Sequence, residues 1–320
     1  MTKLATEPAA PGYVPGTRRA GAPSRGRARR AARWKLGTIA WAFALPALGL
    51  ALLFKFIPIF DSLTYSFQKV QPFLGNEFVG LDNYIRVLTD EKFQLAALHT
   101  VQIAFFQTLG GVAVGLGLAL LLEGQARSLW FVRTAVFLPV VAAVAVVAEA
   151  WRSLLYPSEL GFVNSLLGLV GIPAQEFLNS PDTAIWTIIF IGVWSGAPYN
   201  MVIFVAGLTG IEREMYEASA LDGASRWQRL WYIVVPSLRA SFAIVLTLAA
   251  IRALRVFTEV YVLTGGGPAG STDVWMTRMY SAGTIGNDVG LSSAAAIILL
   301  VVIGGLTAFT QYVTRRRQDA

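Results

Sequence analysis

From Phe93 to Leu122 the chain runs for 30 residues without an aspartate, glutamate, lysine or arginine. A helix of that length spans roughly 45 Å, enough to cross the roughly 30 Å hydrocarbon core of a bilayer. Uncharged runs of about 10–14 residues suit the core of a soluble domain; this one suits a membrane. Similar blocks recur along the chain, beginning with the 19 uncharged residues from Leu36 to Phe54. Composition agrees: 55% of the 320 residues are hydrophobic and 14% are charged, against roughly 25% charged in a soluble domain. Six helices of about 20 residues each need about 120 residues, and the separated apolar blocks supply them.

The blocks predict an all-α integral membrane protein with six spans at about 36–60, 96–122, 134–156, 183–210, 237–262 and 290–313. The first follows a basic run, as a signal peptide does, but it is too long for a typical apolar signal region and further spans follow, so it reads as uncleaved. The third contains Glu149 and Arg152. The fifth contains Arg252, Arg255 and Glu259, which makes it the least hydropathic.

Lysine and arginine set the orientation. In the six-span arrangement, eighteen fall on the side of both termini and four on the other. Both ends are therefore expected in the cytoplasm, and rejecting the charged fifth span would strand Arg315, Arg316 and Arg317 outside. Residues 1–35 hold nine of the eighteen against one acid, Glu7, with Pro, Gly and Ala between them. That composition predicts a disordered cytoplasmic tail. Residues 315–320 form a short cytoplasmic tail at the other end. The net charge of +7 serves orientation at the membrane, and nucleic-acid binding is excluded from the expected functions.

With no cysteine and a single histidine, His99, a thiolate or histidine metal centre, an iron–sulfur cluster and a cysteine nucleophile are not expected. None of the five lysines follows a glycine, so a phosphate-cradling Gly-Lys-Ser/Thr loop is absent. If ATP drives this protein, ATP and Mg sit on another chain, and this one needs no cofactor. No histidine cluster, Ser/His/Asp set or HExxH pattern supports an enzyme.

The loop 211–236 between the fourth and fifth spans carries the most specific pattern. It reads Glu217-Ala218-Ser219, three residues, Gly223, nine residues, Ile233-Val234-Val235-Pro236. Glu212, Glu214 and Glu217 favour the first turns of a helix, Asp222-Gly223 supplies a turn, and Arg226 to Ile233 can form a second short helix before Pro236 opens the fifth span. The loop resembles the EAA loop of ABC importer permeases, E-A-A, three residues, G, nine residues, I-x-L-P. Ser219 and Val235 depart from that pattern without changing its spacing. Phe78-Val79-Gly80-Leu81-Asp82-Asn83-Tyr84 and Tyr261-Val262-Leu263-Thr264-Gly265-Gly266-Gly267-Pro268 are similar to two signatures of the carbohydrate branch, typified by the maltose-type transporter.

The resemblance covers roughly residues 36–313. It implies a type I ABC importer permease fold in the bacterial plasma membrane, with lipid around it. It also implies a second homologous permease subunit, two copies of a cytoplasmic ATPase subunit docked on the EAA loop, and an extracytoplasmic solute-binding protein. By the same resemblance Glu217, Ala218, Ser219, Asp222, Gly223, Ile233 and Pro236 couple to the ATPase. Alignment on the signatures further places Gly192, Ser195, Gly196, Tyr199, Leu248, Ile251, Arg252 and Arg255 at positions that line the sugar site.

Charges inside a bilayer are costly and face a partner or a watery cavity. On one helix, Leu248, Arg252, Arg255 and Glu259 share an arc of about 60°. Arg252 and Glu149 each lie roughly 22 Å from the start of their spans. Glu149 with Arg152 and Arg255 with Glu259 also have the spacing of structural ion pairs, and both readings stand. Arginine can fork to vicinal hydroxyls or clamp a phosphate, so a disaccharide or oligosaccharide and a glycerol phosphate or glycerophosphodiester both fit. Trp151 and Trp194 suit either sugar stacking or helix contacts. The glycines Gly110, Gly111, Gly115 and Gly117 predict close helix packing. A secondary carrier or channel without an ATPase is the competing class, and it leaves the EAA spacing unexplained.

Overall fold

The computed structural model describes residues 41–71, 75–123 and 127–318; the basic tail 1–35 and the start of the first expected span lie outside the described residues. The chain divides into two units, residues 1–60 and 61–320. In the first, the described residues are helical from Trp41, and this helix, α1, runs to Tyr65. No side chain from Trp41 to Phe60 is buried. Leu52–Phe56 of this helix form a π-turn just before Pro58. Proline has no N–H for the carbonyl four residues back and its ring crowds that carbonyl, and a widened turn relieves both.

The second unit opens with a two-stranded antiparallel hairpin, β1 (Gln68–Lys69) and β2 (Glu77–Phe78). The helices α2 (Asp82–Thr89), α3 (Glu91–Leu121), α4 (Arg127–Val141), α5 (Val144–Leu154), α6 (Phe162–Leu169) and α7 (Pro181–Leu208) follow. After them come α8 (Arg213–Leu221), α9 (Arg226–Ser237), α10 (Arg239–Leu254), α11 (Thr258–Leu263), α12 (Trp275–Thr284) and α13 (Val289–Gln318). Four helices, α1, α3, α7 and α13, are each long and apolar enough to cross a membrane. They begin and end within a few residues of the expected spans. Local chemistry fixes two of the starts: the Asp90 carboxylate accepts from the amides of Lys92 and Phe93 at 2.7 and 3.2 Å, and Ser180 caps α7 with Pro181 in its first turn.

Two segments expected as single helices are broken. The segment 134–156 is split between α4 and α5, which meet at 98° just after Pro139. The segment 237–262 ends its first helix at Leu254, and Phe257 leaves helical geometry at φ −142°, ψ −63° before α11 begins. Glu259 thus stands on a different helix from Arg252, and the shared polar arc does not form. No glycine or proline marks this break. The turn buries Val256 with Val260 and Leu263 in a core cluster against Ile188 and Ile191 of α7, so its cause is tertiary. The kink before α10 is also displaced, since α9 runs through Pro236 and bends by 70° at Leu238. A second π-turn, Leu230–Val234, lies just before Pro236, as in α1.

The most extensive contact between helices is that of α3 with α7. A Cβ at Gly110 would come within 2.8 Å of the Val193 side chain, and one at Gly115 within 2.7 Å of Asn200 Cβ and 3.0 Å of the Ala197 carbonyl. Gly111 faces Asn200 Nδ2 in the same way, whereas nothing lies within 4 Å of a Cβ at Gly117. Three of the four glycines thus let the two backbones approach, and the fourth does not take part.

Asn83 and Tyr84 of the 78–84 segment serve as internal scaffolding. Asn83 is buried, and its Nδ2 donates to the carbonyls of Ser66 and Gln68 at 3.1 and 2.9 Å. Tyr84 Oη lies 2.7 Å from Ser66 Oγ. Trp275 ties α12 to its neighbours, its amide donating to Thr100 Oγ1 at 2.8 Å and its indole N–H to the Ala295 carbonyl at 2.9 Å. His99 Nδ1 sits 3.0 Å from the Asp273 carbonyl, a structural bond. Gly115→Leu is expected to destabilise the protein by at least about 1–3 kcal/mol through overpacking, and Gly117→Leu to be tolerated. Thermal unfolding of the two variants in detergent, with equal losses, would contradict this packing.

Candidate functional site

The sequence-predicted pathway residues fall into three groups. Gly196 and Tyr199 of α7 meet Arg252 of α10: the guanidinium carbon lies 4.6 Å from the centroid of the Tyr199 ring. A Cβ at Gly196 would come within 3.0 Å of Arg252 Nη1, so the glycine leaves the space the guanidinium occupies. Arginine over an aromatic face gains from the ring quadrupole, by about 0.5–2 kcal/mol depending on desolvation. Leu248 and Arg255 are exposed and Ile251 is half-buried on the same stretch of α10. Pro198 sits inside α7 and denies the Trp194 carbonyl its usual partner, a break in backbone bonding beside this cluster.

Ser195 and Glu259 form a second group. Together with Pro139, Val144, Val147, Ala148 and Ile191 they line a cavity of about 30 Å³, inside the elbow between α4 and α5. Ser195 Oγ donates to the Gly192 carbonyl at 3.3 Å. Glu259 lies near enough to act on the charge of Arg252. Among the described residues Glu259 makes no ion pair with Arg255, because the break at residues 255–257 separates them. Gly192 itself faces the α3 side, where any side chain would collide with Gln107.

The third group lies at the other end of α5. Arg152 Nη1 lies 3.4 Å from Glu149 Oε2, with both side chains 57% exposed, and 3.4 Å from the Val262 carbonyl. Arg152 opens on a hollow of about 620 Å³ shared with Asn179, Tyr261, Thr264 and Pro268. Beneath it Trp151 packs edge-on against Trp194 and Phe190, with ring centroids 5.3 and 5.8 Å away. The two tryptophans pack on one another, and Trp151 joins the core beside α7.

The loop between α7 and α10 is built from two interlocking caps. α8 ends in a Schellman arrangement: the Gly223 amide donates to the Ala220 carbonyl at 3.2 Å and the Ala224 amide to the Ser219 carbonyl at 3.0 Å. Gly223 has φ +74° with nothing within 4 Å of a Cβ, so it is required for its backbone and not for space. One residue later Ser225 opens α9 with a capping box, accepting from the Gln228 amide at 3.2 Å while Gln228 Oε1 accepts from the Ser225 amide at 2.8 Å. Glu217 is exposed and paired with Arg213 at 2.9 Å; Ala218 and Asp222 are exposed, and Leu221 is 90% exposed. Ser219 is buried, its hydroxyl donating to the Tyr216 carbonyl at 2.8 Å. Ile233 and Pro236 are half-buried on α9.

Sequence reasoning missed the contact of this loop with the end of α3. Tyr216 packs on the cluster formed by Val112, Ala119, Met201 and Phe204, its hydroxyl enclosed without a hydrogen-bond partner. Burial raises the Tyr216 phenol above its ordinary value and the Glu123 charge raises it further; burial also raises the Glu123 carboxyl. Arg133 Nε donates to the Leu122 carbonyl at 2.9 Å, covering the exposed end of α3. No spacing rule links residues 123 and 216; only the turn of the loop brings them together. Among the described residues no group of three or more His, Cys, Asp or Glu side chains is placed to hold a metal.

Residues 111–319 match the family described as the binding-protein-dependent transport system inner membrane component. The chain belongs to that family of ABC transporter permeases. It is 31% identical over 288 residues, 90% of this chain and 97% of the other, to the trehalose/maltose transport system permease protein MalF of Thermococcus litoralis. It is 32% identical over 270 residues to the sn-glycerol-3-phosphate transport system permease protein UgpA of Pectobacterium atrosepticum, covering 83% of this chain and 90% of that one. Among solved structures, a chain of a bacterial ABC transporter involved in the import of the acidic polysaccharide alginate superposes with a TM-score of 0.78 at 26% identity, over 90% of this chain and 99% of that chain.

The caps make a local prediction. Gly223→Ala forces an L-residue into left-handed geometry at a cost of about 1–2 kcal/mol. Amide exchange in α8 should accelerate by about five- to thirtyfold while exchange in α3 and α7 stays unchanged. Unchanged exchange in α8 would show that the cap does not hold the helix.

Proposed function

We propose that this chain is the membrane-spanning permease of an ATP-driven, binding-protein-dependent importer of a disaccharide or oligosaccharide, and that it forms half of the translocation pathway. The observation that carries the substrate reading is the Arg252 guanidinium lying across Tyr199 on an exposed stretch of α10. An aromatic face beside a planar fork of donors suits a polyhydroxylated ring, which offers an apolar face and vicinal hydroxyls at its edge. Gly196 stands beside that pair, with Leu248 and Ile251 along the same stretch of α10 and Arg255 at its end.

A glycerol phosphate or glycerophosphodiester is the second reading. It is favoured by the sn-glycerol-3-phosphate permease relative, whose identity equals that of the trehalose/maltose one within a percentage point. Glu259 weighs against it, because the charge of that carboxylate reaches Arg252 and opposes an anion brought there. A neutral sugar meets no such opposition.

The transport subunit works with chains it does not contain: a second homologous permease, two copies of an ATPase that carries ATP and Mg, and an extracytoplasmic solute-binding protein. The bent pair α4/α5 counts as one span and α10, entered through the bend after α9, as another, which gives six, with both termini and the α8–α9 loop in the cytoplasm, in agreement with the Lys/Arg asymmetry. The ATPase docks on α8, where Glu217, Ala218, Asp222 and the unburied Leu221 share a surface that the two caps hold rigid. The ATPase cycle then switches the permease pair between inward and outward openings by favouring one conformation of the pair over the other.

Stimulation of ATPase activity in the lipid-reconstituted complex with its binding protein, across disaccharides, monosaccharides and glycerol phosphodiesters, tests this reading. A neutral oligosaccharide should stimulate, and Arg252→Ala should reduce substrate-dependent transport by about ten- to hundredfold, the loss expected for hydrogen bonds to a charged group. Stimulation by phosphodiesters alone would select the second reading, and absence of any co-purifying ATPase would favour a secondary carrier. Glu217→Ala should weaken retention of the ATPase; unchanged retention and transport would remove the docking role of α8.

A further inference from the structure

Helix α9 has a face that the rest of the chain leaves bare. Leu230, Val234 and Leu238 pack into the core against α3 and α7. Beside them, Trp227 and Trp231 are 68% and 56% exposed with their indoles edge to face at 6.2 Å, and Tyr232, on the far side of the helix, is 80% exposed. The same segment carries Arg226, Arg229 and, at the junction with α10, Arg239. Among the described residues none of the three is paired with a carboxylate, and Arg229 Nε is enclosed without a partner. The sequence holds no aspartate or glutamate between Asp222 and Glu259. α9 meets α10 at 70°, so if α10 crosses the bilayer, α9 lies close to its plane.

We propose that α9 is an interfacial helix that binds anionic phospholipid headgroups of the leaflet on the coupling-loop side. The indoles and the tyrosine would sit at the level of the glycerol backbone, where amphipathic rings are most stable, and the arginines would meet the phosphates. An amphipathic helix with aromatic residues and unopposed cations is the kind that lies in a membrane surface. Charge complementarity and direct continuity with a spanning helix select lipid over a protein occupant. The consequence is that the angle between α8 and α10 is set partly by the leaflet, so ATPase coupling responds to lipid charge. The proposal rests on α10 being a span.

Because the chain has no cysteine, a nitroxide at Tyr232→Cys is unique in this subunit. In the assembled transporter in nanodiscs, collision with lipid-soluble oxygen and with a water-soluble nickel reagent reports its depth. A matching label at Leu246→Cys, on the face of α10 away from Arg252, tests the span itself. The expected result is high oxygen access at both positions, with the label at Tyr232→Cys at headgroup depth. Exchanging phosphatidylcholine for a mixture with phosphatidylglycerol should further shield it from nickel. Arg226→Gln with Arg229→Gln should abolish that lipid response and weaken phosphatidylglycerol binding by about fivefold per arginine. A water-exposed label at Tyr232→Cys in both lipids, with Leu246→Cys in the bilayer, would overturn the proposal while leaving the span intact. A label shielded from both reagents only when the ATPase is bound would assign the face to that subunit instead. A water-exposed label at Leu246→Cys would overturn the span and the proposal with it.

Discussion

Inside a bilayer no water completes a broken backbone hydrogen bond, and lipid tails are as apolar as leucine, so helices gain from one another chiefly by close packing. In this chain that gain is concentrated in the α3/α7 pair, where Gly110, Gly111 and Gly115 bring one backbone against Val193, Ala197 and Asn200 of the other. The remaining elements take their positions from the pair. α5 and α11 pack at one end of it through Ala148, Val260 and Leu263, and α9 and α10 at the other through Val234, Leu238 and Val245. Phe93 near the start of α3 receives Trp275 with rings 5.4 Å apart, which fixes α12 and through it α13.

What the sequence reveals of this arrangement is what depends on short-range rules. Long uncharged runs place α3, α7 and α13 within a few residues. The spacing of Glu217 and Gly223 anticipates a helix and a turn, and a Schellman cap with φ +74° at Gly223 is what stands there. The breaks in the third and fifth segments are a different case. At residues 255–257 the local sequence, Arg-Val-Phe, has nothing against a helix beyond one β-branched and one aromatic residue. The chain turns because Val256 gains more by entering the core than a continuing helix gains in backbone order. Tertiary gains of this kind are invisible to periodicity, which assumes that the helix continues.

The candidate site divides along the same line. Gly196, Tyr199 and Arg252 come together because each sits within α7 or α10, which keep their helical course there despite Pro198, and positions three and four apart share a face. Arg255 and Glu259 do not pair, because the spacing rule behind their pairing fails once the helix stops. Glu259 instead reaches the cavity beside Ser195, and its charge acts on Arg252. Gly192, three residues before Ser195, has turned to the α3 side, where Gln107 fills the place of a side chain. The helix therefore uses one face to hold its partner and the neighbouring face to present polar groups.

A device that moves substrate must turn a push at one end into a change at the other without dissipating it. The chain between α8 and Arg252 is built for that. The Schellman cap of α8, which ends at Ala224, runs directly into the capping box at Ser225, and one residue separates α9 from α10, so no flexible linker intervenes. α10 meets α7 where Gly207 admits Ser241 and Leu238, a contact with no side chain to cushion it, and packed interfaces shift between discrete arrangements instead of deforming smoothly. In the proposed cycle, tilting α8 therefore swings α10 about this contact. The far end of α10 carries Arg252, whose hold on Tyr199 is a single contact without a carboxylate bridge. The stiff contacts lie near the loop and the weak one at the proposed substrate site, which is the order needed if a movement of α8 is to change access at Arg252 before it disturbs the packing of α3 on α7.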